Sequence, residues 1–416
     1  MKKPVTLLVI GAGDRGTYFG KYAVHYPDKA KVVGVAEPRR YQREFLKKQN
    51  DIPDENVAED WKEFISRERF ADAVIIATPD ALHAEIAVAF AKKGYHLFLE
   101  KPMANSEEDC LRVAKTAKDN SSIVSVGHVL RYNFITKKIK EIIDSGAIGD
   151  IVSIQHLEPV GYWHYAHSYV RGNWHDEKKS SSFLLAKSCH DLDWISYIVG
   201  RKCKAVSSFG ALKYFREENK PDGAAEYCYE CPHEPECPYS AKKIYFGFLK
   251  KGKTDWPVSV VTPNPTEESL TEALRTGPYG RCVYQGVNDV VDHQVVNMFF
   301  EDNITASFTV TAFTEEAYRK TTIFGTRGEL YCDGDIIRVY DFLTDKTEIF
   351  DLKVMAEDSK LSGHGGGDFE WIKSFISAVA ENYPSKILSG AEETLESHLM
   401  VFAAERARKE NRVVNL

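Results

Sequence analysis

Val5-Thr6-Leu7-Leu8-Val9-Ile10-Gly11-Ala12-Gly13-Asp14-Arg15-Gly16 runs a short apolar strand into three spaced glycines, and residues 16–26 continue as an amphipathic helix. Strand, glycine turn and helix in that order give G-x-G-x-x-G the context it needs to hold a dinucleotide. Gly11 permits the tight turn, Gly13 lets a pyrophosphate approach the backbone, and Gly16 lets helix and strand pack closely, with Asp14 and Arg15 between them. The amides of the helix N-terminus then face the anion. Glu37 follows about 20 residues later, at the end of the next strand (31–36), where a carboxylate binds the adenosine ribose hydroxyls. That carboxylate favours NAD over NADP, although Arg39 and Arg40 blunt the preference, because a guanidinium forks onto phosphate. A glycine turn with no ligand is the alternative.

Outward from this stretch, helices at 40–49, 81–93, 106–120 and 136–145 alternate with strands at 73–77, 96–99 and 123–128. Short connections between such units predict an α/β fold, a doubly wound parallel sheet of the Rossmann type, over residues 1–149. From residue 150 the pattern changes to alternating strands at 152–157, 205–212, 292–300, 304–311, 319–324 and 329–332. These predict a second, α+β domain over 150–416 with an open, mostly antiparallel sheet, one face covered by an apolar helix at 181–199. Helices within about 369–410 close the chain. An excursion spans about 213–282, and its first part, 213–240, is polar, carries prolines and cysteines, and reads as irregular.

Composition sets the outer limits. The 416 residues are 43% hydrophobic and 28% charged, which suits a folded chain of two or three domains and not a disordered one. Lys and Arg total 54 against 61 Asp and Glu, a net charge of −7, so no broad basic field recruits nucleic acid or an anionic membrane. No apolar run nears the roughly 20 residues of a membrane helix. The stretch after Met1-Lys2-Lys3 is too short for a signal peptide. Eight unevenly spread cysteines do not make a disulfide framework and suit a reducing cytoplasm.

Thr78-Pro79-Asp80, with His83 nearby, and Glu100-Lys101-Pro102 each follow a predicted strand of the first sheet. Both fall on the carboxyl edge, where open α/β sheets bind ligands. A solvated surface lysine is the plainer reading of Lys101. Taken together, the glycine stretch, Glu37, Thr78-Pro79 with His83, and Glu100-Lys101-Pro102 resemble the Gfo/Idh/MocA family of nicotinamide-dependent oxidoreductases, which act largely on sugars and cyclitols. The resemblance implies a Rossmann domain followed by a sheet domain that often mediates homo-oligomer formation. It also implies that Lys101 contacts both the nicotinamide ribose and the substrate.

Leu184-Leu185-Ala186-Lys187-Ser188-Cys189-His190-Asp191-Leu192-Asp193 lies in the apolar helix, with Lys187, His190 and Asp193 on one face. Taking a hydride from a secondary alcohol requires a base for the hydroxyl proton; histidine has the suitable pKa, and a lysine polarises the oxygen. A core histidine capped by Asp193 is the alternative. The family resemblance implies that His190 is the general base; on the residues themselves, Glu100 would orient Lys101 and Lys187 would tune His190. One departure stands out: many members carry Asp four residues before that histidine, and this chain has Ala186.

Tyr162, Trp163, His167, Arg171 and Trp174 form an aromatic, polar-tipped stretch of the kind that stacks on sugar rings, with a buried core as the alternative. Arg131-Tyr132 is a further candidate contribution to the pocket. In His364-Gly365-Gly366-Gly367-Asp368 the glycines would let His364 close over a ligand, or Asp368 would simply cap a helix. Cys228, Cys231 and Cys237, with Cys282 as fourth ligand and His233 or Cys203 behind it, have the spacing of a structural zinc site; a disulfide or free thiols are the alternatives. The sequence therefore predicts an NAD-dependent oxidoreductase that takes a hydride from a secondary hydroxyl of a sugar, glycoside or cyclitol. The alternatives are an NAD-dependent glycosidase working by transient oxidation, elimination, hydration and re-reduction, or a non-catalytic NAD- and sugar-binding regulator.

Overall fold

The computed structural model describes residues 3–355 and 366–416. Its first sheet contains β1 (Val5–Ile10), β2 (Ala30–Ala36), β3 (Val57–Ala58), β4 (Ala73–Ile76), β5 (His96–Leu99) and β6 (Val124–Val126), all parallel, in the order β3-β2-β1-β4-β5-β6. These strands are almost wholly apolar because both faces are covered. Leu7, Val9 and Phe98 pack with Phe19 and Trp371 on one side, and Leu8, Ile10 and Val74 pack with Phe64, Ile86 and Phe90 on the other. Strand order reverses between β1 and β4, which opens a crevice at the carboxyl edge. β3 is only two residues long, too short to leave a periodic signal in the sequence.

The second sheet has nine strands: β7 (Ile151–Pro159), β8 (Cys203–Ala211), β9 (His293–Phe300), β10 (Thr305–Thr311), β11 (Lys320–Gly325), β12 (Gly328–Cys332), β13 (Ile336–Asp341), β14 (Lys346–Asp351) and β15 (Val414–Asn415). Their order is β14-β13-β12-β11-β7-β10-β9-β8-β15, and among the described residues every neighbouring pair is antiparallel except β7 with β10. Along β9 every second residue is buried, the signature of a sheet covered on one face. The cover consists of the helices Phe183–Val199 and Ala391–Glu410, whose Leu192, Ile195, Val401 and Ala404 join the same core as Val206, Val296 and Phe308.

Two segments depart from simple chain order. The helix Gly367–Glu381 returns to the first sheet, where the Trp371 ring stacks on Phe98 at 3.7 Å and its indole N–H donates to Ser125 Oγ at 2.7 Å. Residues 213–240 contain only the short turn Glu217–Asn219, but the chain then forms the helices Ala241–Lys250, Val258–Val261 and Glu267–Thr276. Ile244, Tyr245, Val258, Leu270 and Leu274 give these helices a small core of their own.

Candidate active site

The turn after β1 is built around its glycines. Gly11 sits at φ +88°, and a Cβ there would lie 2.5 Å from Ala77 O; a Cβ at Gly16 would lie 1.9 Å from Gly11 O. Gly13 meets only the Arg39 guanidinium, at 3.4 Å, which leaves its face open to a pyrophosphate. Glu37 is buried at the end of β2 and accepts from Ala12 N at 2.8 Å, while Arg39 forks onto it at 2.8 and 2.9 Å. Burial opposes its ionisation, but the hydrogen bonds from Arg39 and Ala12 outweigh this and hold the carboxyl below the usual glutamate range. Thr78 Oγ1, at the carboxyl edge, is buried with no hydrogen-bond partner among the described residues. The open face at Gly13, an ionised Glu37 and this unused hydroxyl fit a dinucleotide.

Other residues predicted for the cofactor turn inward and brace the edge. Arg15 donates to Glu100 Oε1 at 2.6 Å and to Asp368 Oδ1 at 2.5 Å, tying the glycine turn to β5 and to the returning helix. The ring nitrogens of His83 lie 2.7 Å from Pro102 O and 2.9 Å from Thr78 O, so it links the turns after β4 and β5. Asp80 accepts from Trp174 Nε1 at 2.9 Å and from Ser181 Oγ at 3.3 Å, which docks the second domain's aromatic stretch on the first. Pro79 starts the turn that carries Asp80.

Lys101 reaches across to the second domain. Its backbone N–H donates to Glu100 Oε2 at 3.1 Å, and its ammonium donates to Ala186 O at 2.5 Å. In a helix that carbonyl also accepts the N–H four residues on, that of His190. No carboxylate lies within ion-pair distance of Lys101 Nζ among the described residues. Ser182 Oγ caps the Phe183–Val199 helix through Leu185 N, and left-handed Gly200 ends it. His190 is buried, with its ring 6.0 Å from that of His128 and edge-on to it.

Beneath His190 lies a polar group that was only partly legible in the sequence. Arg131 forks onto Asp193 at 2.7 and 2.8 Å and donates to Leu388 O at 2.7 Å. His128, at the end of β6 and fully buried, has Nε2 3.7 Å from Asp193 Oδ1. Burial lowers its pKa to about 4, with Asp193 opposing and Arg131 and Lys101 adding to the effect. Replacing Arg131 with Lys, which loses the fork, should cost about 1.5–3 kcal/mol in urea unfolding. An unchanged midpoint would show that Asp193 is satisfied without it.

Lys187 lies 3.1 Å from Glu158 Oε1, at the end of β7. Arg319 bridges Glu158 at 2.8 Å and Asp191 at 2.7 Å, and His156 Nε2 lies 3.2 Å from Asp191. Burial works against the Asp191 charge, but Arg319 and His156 hold its carboxyl far below the usual range. Lys187 thus joins this buried network through Glu158.

The aromatic stretch is helical: Tyr162–Tyr165, followed by one π-type turn, Ala166–Arg171. Trp163 packs on Phe248 and Trp256, His167 Nδ1 lies 2.8 Å from Tyr245 Oη, and Arg171 donates to Arg281 O at 2.7 Å and Tyr239 O at 2.8 Å. His167 and Arg171 therefore anchor the excursion, whereas Tyr162 is partly exposed. His364 lies outside the described residues.

The expected zinc site is not shown by the structure. All eight cysteines are free, and among the described residues no group of three or more His, Cys, Asp or Glu is placed to hold a metal ion. Cys228 and Cys282 flank a short bridge between Tyr227 and Arg281; the Cys228 sulfur faces the Arg171 guanidinium at 3.4 Å and Arg281 O at 3.8 Å. Burial raises the Cys237 and Cys282 thiols above their usual range, and Cys231 stays half-exposed. The spacing of the four is that of a zinc site, but their side chains are used in packing.

With this geometry in place, comparison with known proteins is informative. The NAD-binding Rossmann-fold model of the Gfo/Idh/MocA oxidoreductase family matches residues 5–128, and the family's C-terminal alpha/beta domain matches 140–416. Putative oxidoreductase YteT of Bacillus subtilis is 24% identical over 396 residues, 89% of this chain and 87% of its own length. A 2,7-anhydro-N-acetylneuraminate hydratase of Escherichia coli is 27% identical over 49% of this chain, and a scyllo-inositol 2-dehydrogenase (NAD(+)) of Bacillus subtilis is 28% identical over 51%. These two alignments span 51% and 59% of the relatives' own lengths. Among solved structures, an NAD-binding oxidoreductase from Klebsiella pneumoniae superposes with TM-score 0.72 at 18% identity over 99% of both chains. A levoglucosan dehydrogenase in complex with NADH superposes with TM-score 0.69 at 19% identity, also over 99% of both chains. The glycine turn, the carboxyl-edge lysine and the two sheets thus fall within matched family domains that together span most of the sequence, and the chain belongs to the Gfo/Idh/MocA oxidoreductase family.

Proposed function

We propose that this protein is an NAD-dependent oxidoreductase that takes a hydride from a secondary hydroxyl of a sugar, glycoside or cyclitol. The observation that carries this reading is the Lys101 ammonium on Ala186 O, which brings the cofactor domain's edge lysine to the turn of helix that leads to His190. NAD, when bound, supplies the hydride acceptor. Lys101 would hold the reacting hydroxyl oxygen with a charge that no carboxylate among the described residues pairs, and His190 would take the hydroxyl proton. Glu100, fixed by Arg15 and by the Lys101 backbone N–H, holds the lysine's turn in place.

Glu37 favours NAD over NADP, because a buried, ionised carboxylate repels a 2′-phosphate. Glu37→Ala should raise NADP affinity relative to NAD by at least about tenfold in a fluorescence titration, with Arg39 released to meet the phosphate. An unchanged ratio would remove Glu37 from cofactor choice.

Ala186 favours a second reading, since the helix offers no carboxylate there to pair with Lys101, and a hydratase is among the relatives. In that reading the sugar is oxidised only transiently and reduced again on the same cofactor. Incubating the protein and NAD with free sugars, cyclitols and chromogenic glycosides, while following reduced nicotinamide and aglycone together, separates the two. Reduced cofactor accumulating without aglycone supports the dehydrogenase. NAD-dependent aglycone release without net reduction supports the redox-neutral route, and silence in both channels counts against each.

A further inference from the structure

The excursion is anchored firmly at one end and touches the cofactor domain at the other. On the second domain, Arg171 holds two of its carbonyls, Tyr245 meets His167, and Trp256 packs against Trp163, His164 and His167. On the first domain, Ser259 Oγ donates to Asp14 Oδ1 at 3.5 Å and Tyr41 Oη donates to Asn264 Oδ1 at 3.4 Å. Both distances are at the long end of hydrogen bonding, so these contacts act as a latch and the helical core as the anchor.

The position of the latch matters. Asp14 is the first residue of the helix whose N-terminus faces the dinucleotide's anion. Tyr41 stands in the first turn of the helix Arg40–Asn50, just beyond Glu37 and Arg39 at the adenosine end. The two contacts would therefore straddle the path from pyrophosphate to ribose of a dinucleotide held by the glycine turn and Glu37. Asp14 stays exposed to water, yet its packed surroundings raise its carboxyl above the usual range, with Ser259, Arg39 and Arg15 opposing and Asp255 adding to the rise. Tyr279, at the far end of the excursion, also feels the Asp14 charge.

We propose that residues 255–264 form an outer wall of the dinucleotide site, latched to the first domain through Asp14 and Tyr41, so that the cofactor enters and leaves when this latch opens. The proposal rests on the dinucleotide reading of the first domain. It assigns Ser259 and Asn264 to cofactor retention, although both lie more than 100 residues from the glycine turn in sequence.

The test uses the full chain loaded with NADH and chased with excess NAD, following the loss of bound nicotinamide fluorescence. Ser259→Ala/Asn264→Ala, outside every core, should release NADH about tenfold faster than the parent, the value of two modest hydrogen bonds. Tyr41→Phe, which removes one of them from the opposite side, should act in the same direction by about threefold. In hydrogen exchange, NADH should slow the amides of 255–264 in the parent by at least about fivefold and should do so less in the double variant. Release at the parent's rate in the double variant overturns the wall, and so does exchange in 255–264 that is indifferent to NADH. A parent that does not bind NADH would remove the dinucleotide reading together with the wall, whereas NADH binding with an indifferent 255–264 removes the wall alone.

Discussion

Lys101→Ala is expected to cut turnover by about 10²–10⁴-fold, the range over which a positioned proton-handling or polarising group acts, while NAD binding stays close to that of the parent. The separation follows from where the lysine sits. The groups fitted to the dinucleotide, Gly11 to Gly16, Glu37 and the Thr78 hydroxyl, lie on the turns after β1, β2 and β4. The Lys101 ammonium donates instead to Ala186 O on the second domain. Its removal therefore takes charge from the place where a hydroxyl oxygen would lie and leaves the anion cradle intact. His190→Ala should give a loss of similar size, and Lys101→Ala/His190→Ala should fall well short of the product of the two if both groups serve one proton transfer. Single-turnover reduction of NAD, read beside an NAD titration of each variant, measures both sides. Parent-like turnover in either single variant would take that residue out of the chemistry.

The part of this site that was legible in the sequence is the part in which local chain geometry demands a residue type. A Cβ at Gly11 or Gly16 collides with the backbone of the very turn it belongs to, so the glycines announce themselves. Glu37 and Lys101 are legible for a related reason, since each ends a strand of an alternating β-α pattern that fixes the carboxyl edge. The network of Glu158, Arg319, Asp191 and His156 left no such trace. Its members are joined only once β11 pairs with β7, and that register is not written in any local period. Direction was also illegible: an aromatic stretch signals stacking surface, but the π-type turn points His167 and Arg171 into the excursion, and Trp174 bonds Asp80. The cysteines show the same limit, because spacing of three within ten residues says nothing of the Arg171 guanidinium that meets Cys228 from another element.

Acid should unfold this protein steeply, starting near pH 6.5, because three histidines are buried neutral. Burial lowers His128 to about 4, and lowers His398 and His167 to about 3. For His398, His128 adds to the effect, and Asp193 and the Thr394 carbonyl oppose it; for His167, His164 and Arg171 add to it. In the unfolded chain each titrates near 6.5, so above that pH neither state carries the extra protons and the three contribute a constant stability. As pH falls below about 6.5 the unfolded chain takes up as many as three protons that the folded chain refuses. Stability then drops by about 1.4 kcal/mol per pH unit for each histidine, or about 4 kcal/mol per unit for the three. Asp193, held below its usual range by Arg131 against its own burial, adds a further loss only at lower pH, where the unfolded carboxylate begins to protonate. Urea unfolding at pH 7.5, 6.5, 5.5 and 5.0 reads the slope, and His398→Gln, which cannot protonate, should reduce it by about a third. Equal stability at pH 6.5 and 5.0 would mean that the folded protein accepts these protons, and for His128 it would mean a cation beside Lys101 and His190. Such a cation would set a second positive charge beside Lys101 and His190, so the same burial that makes the fold acid-labile keeps His128 from adding charge to the proposed site.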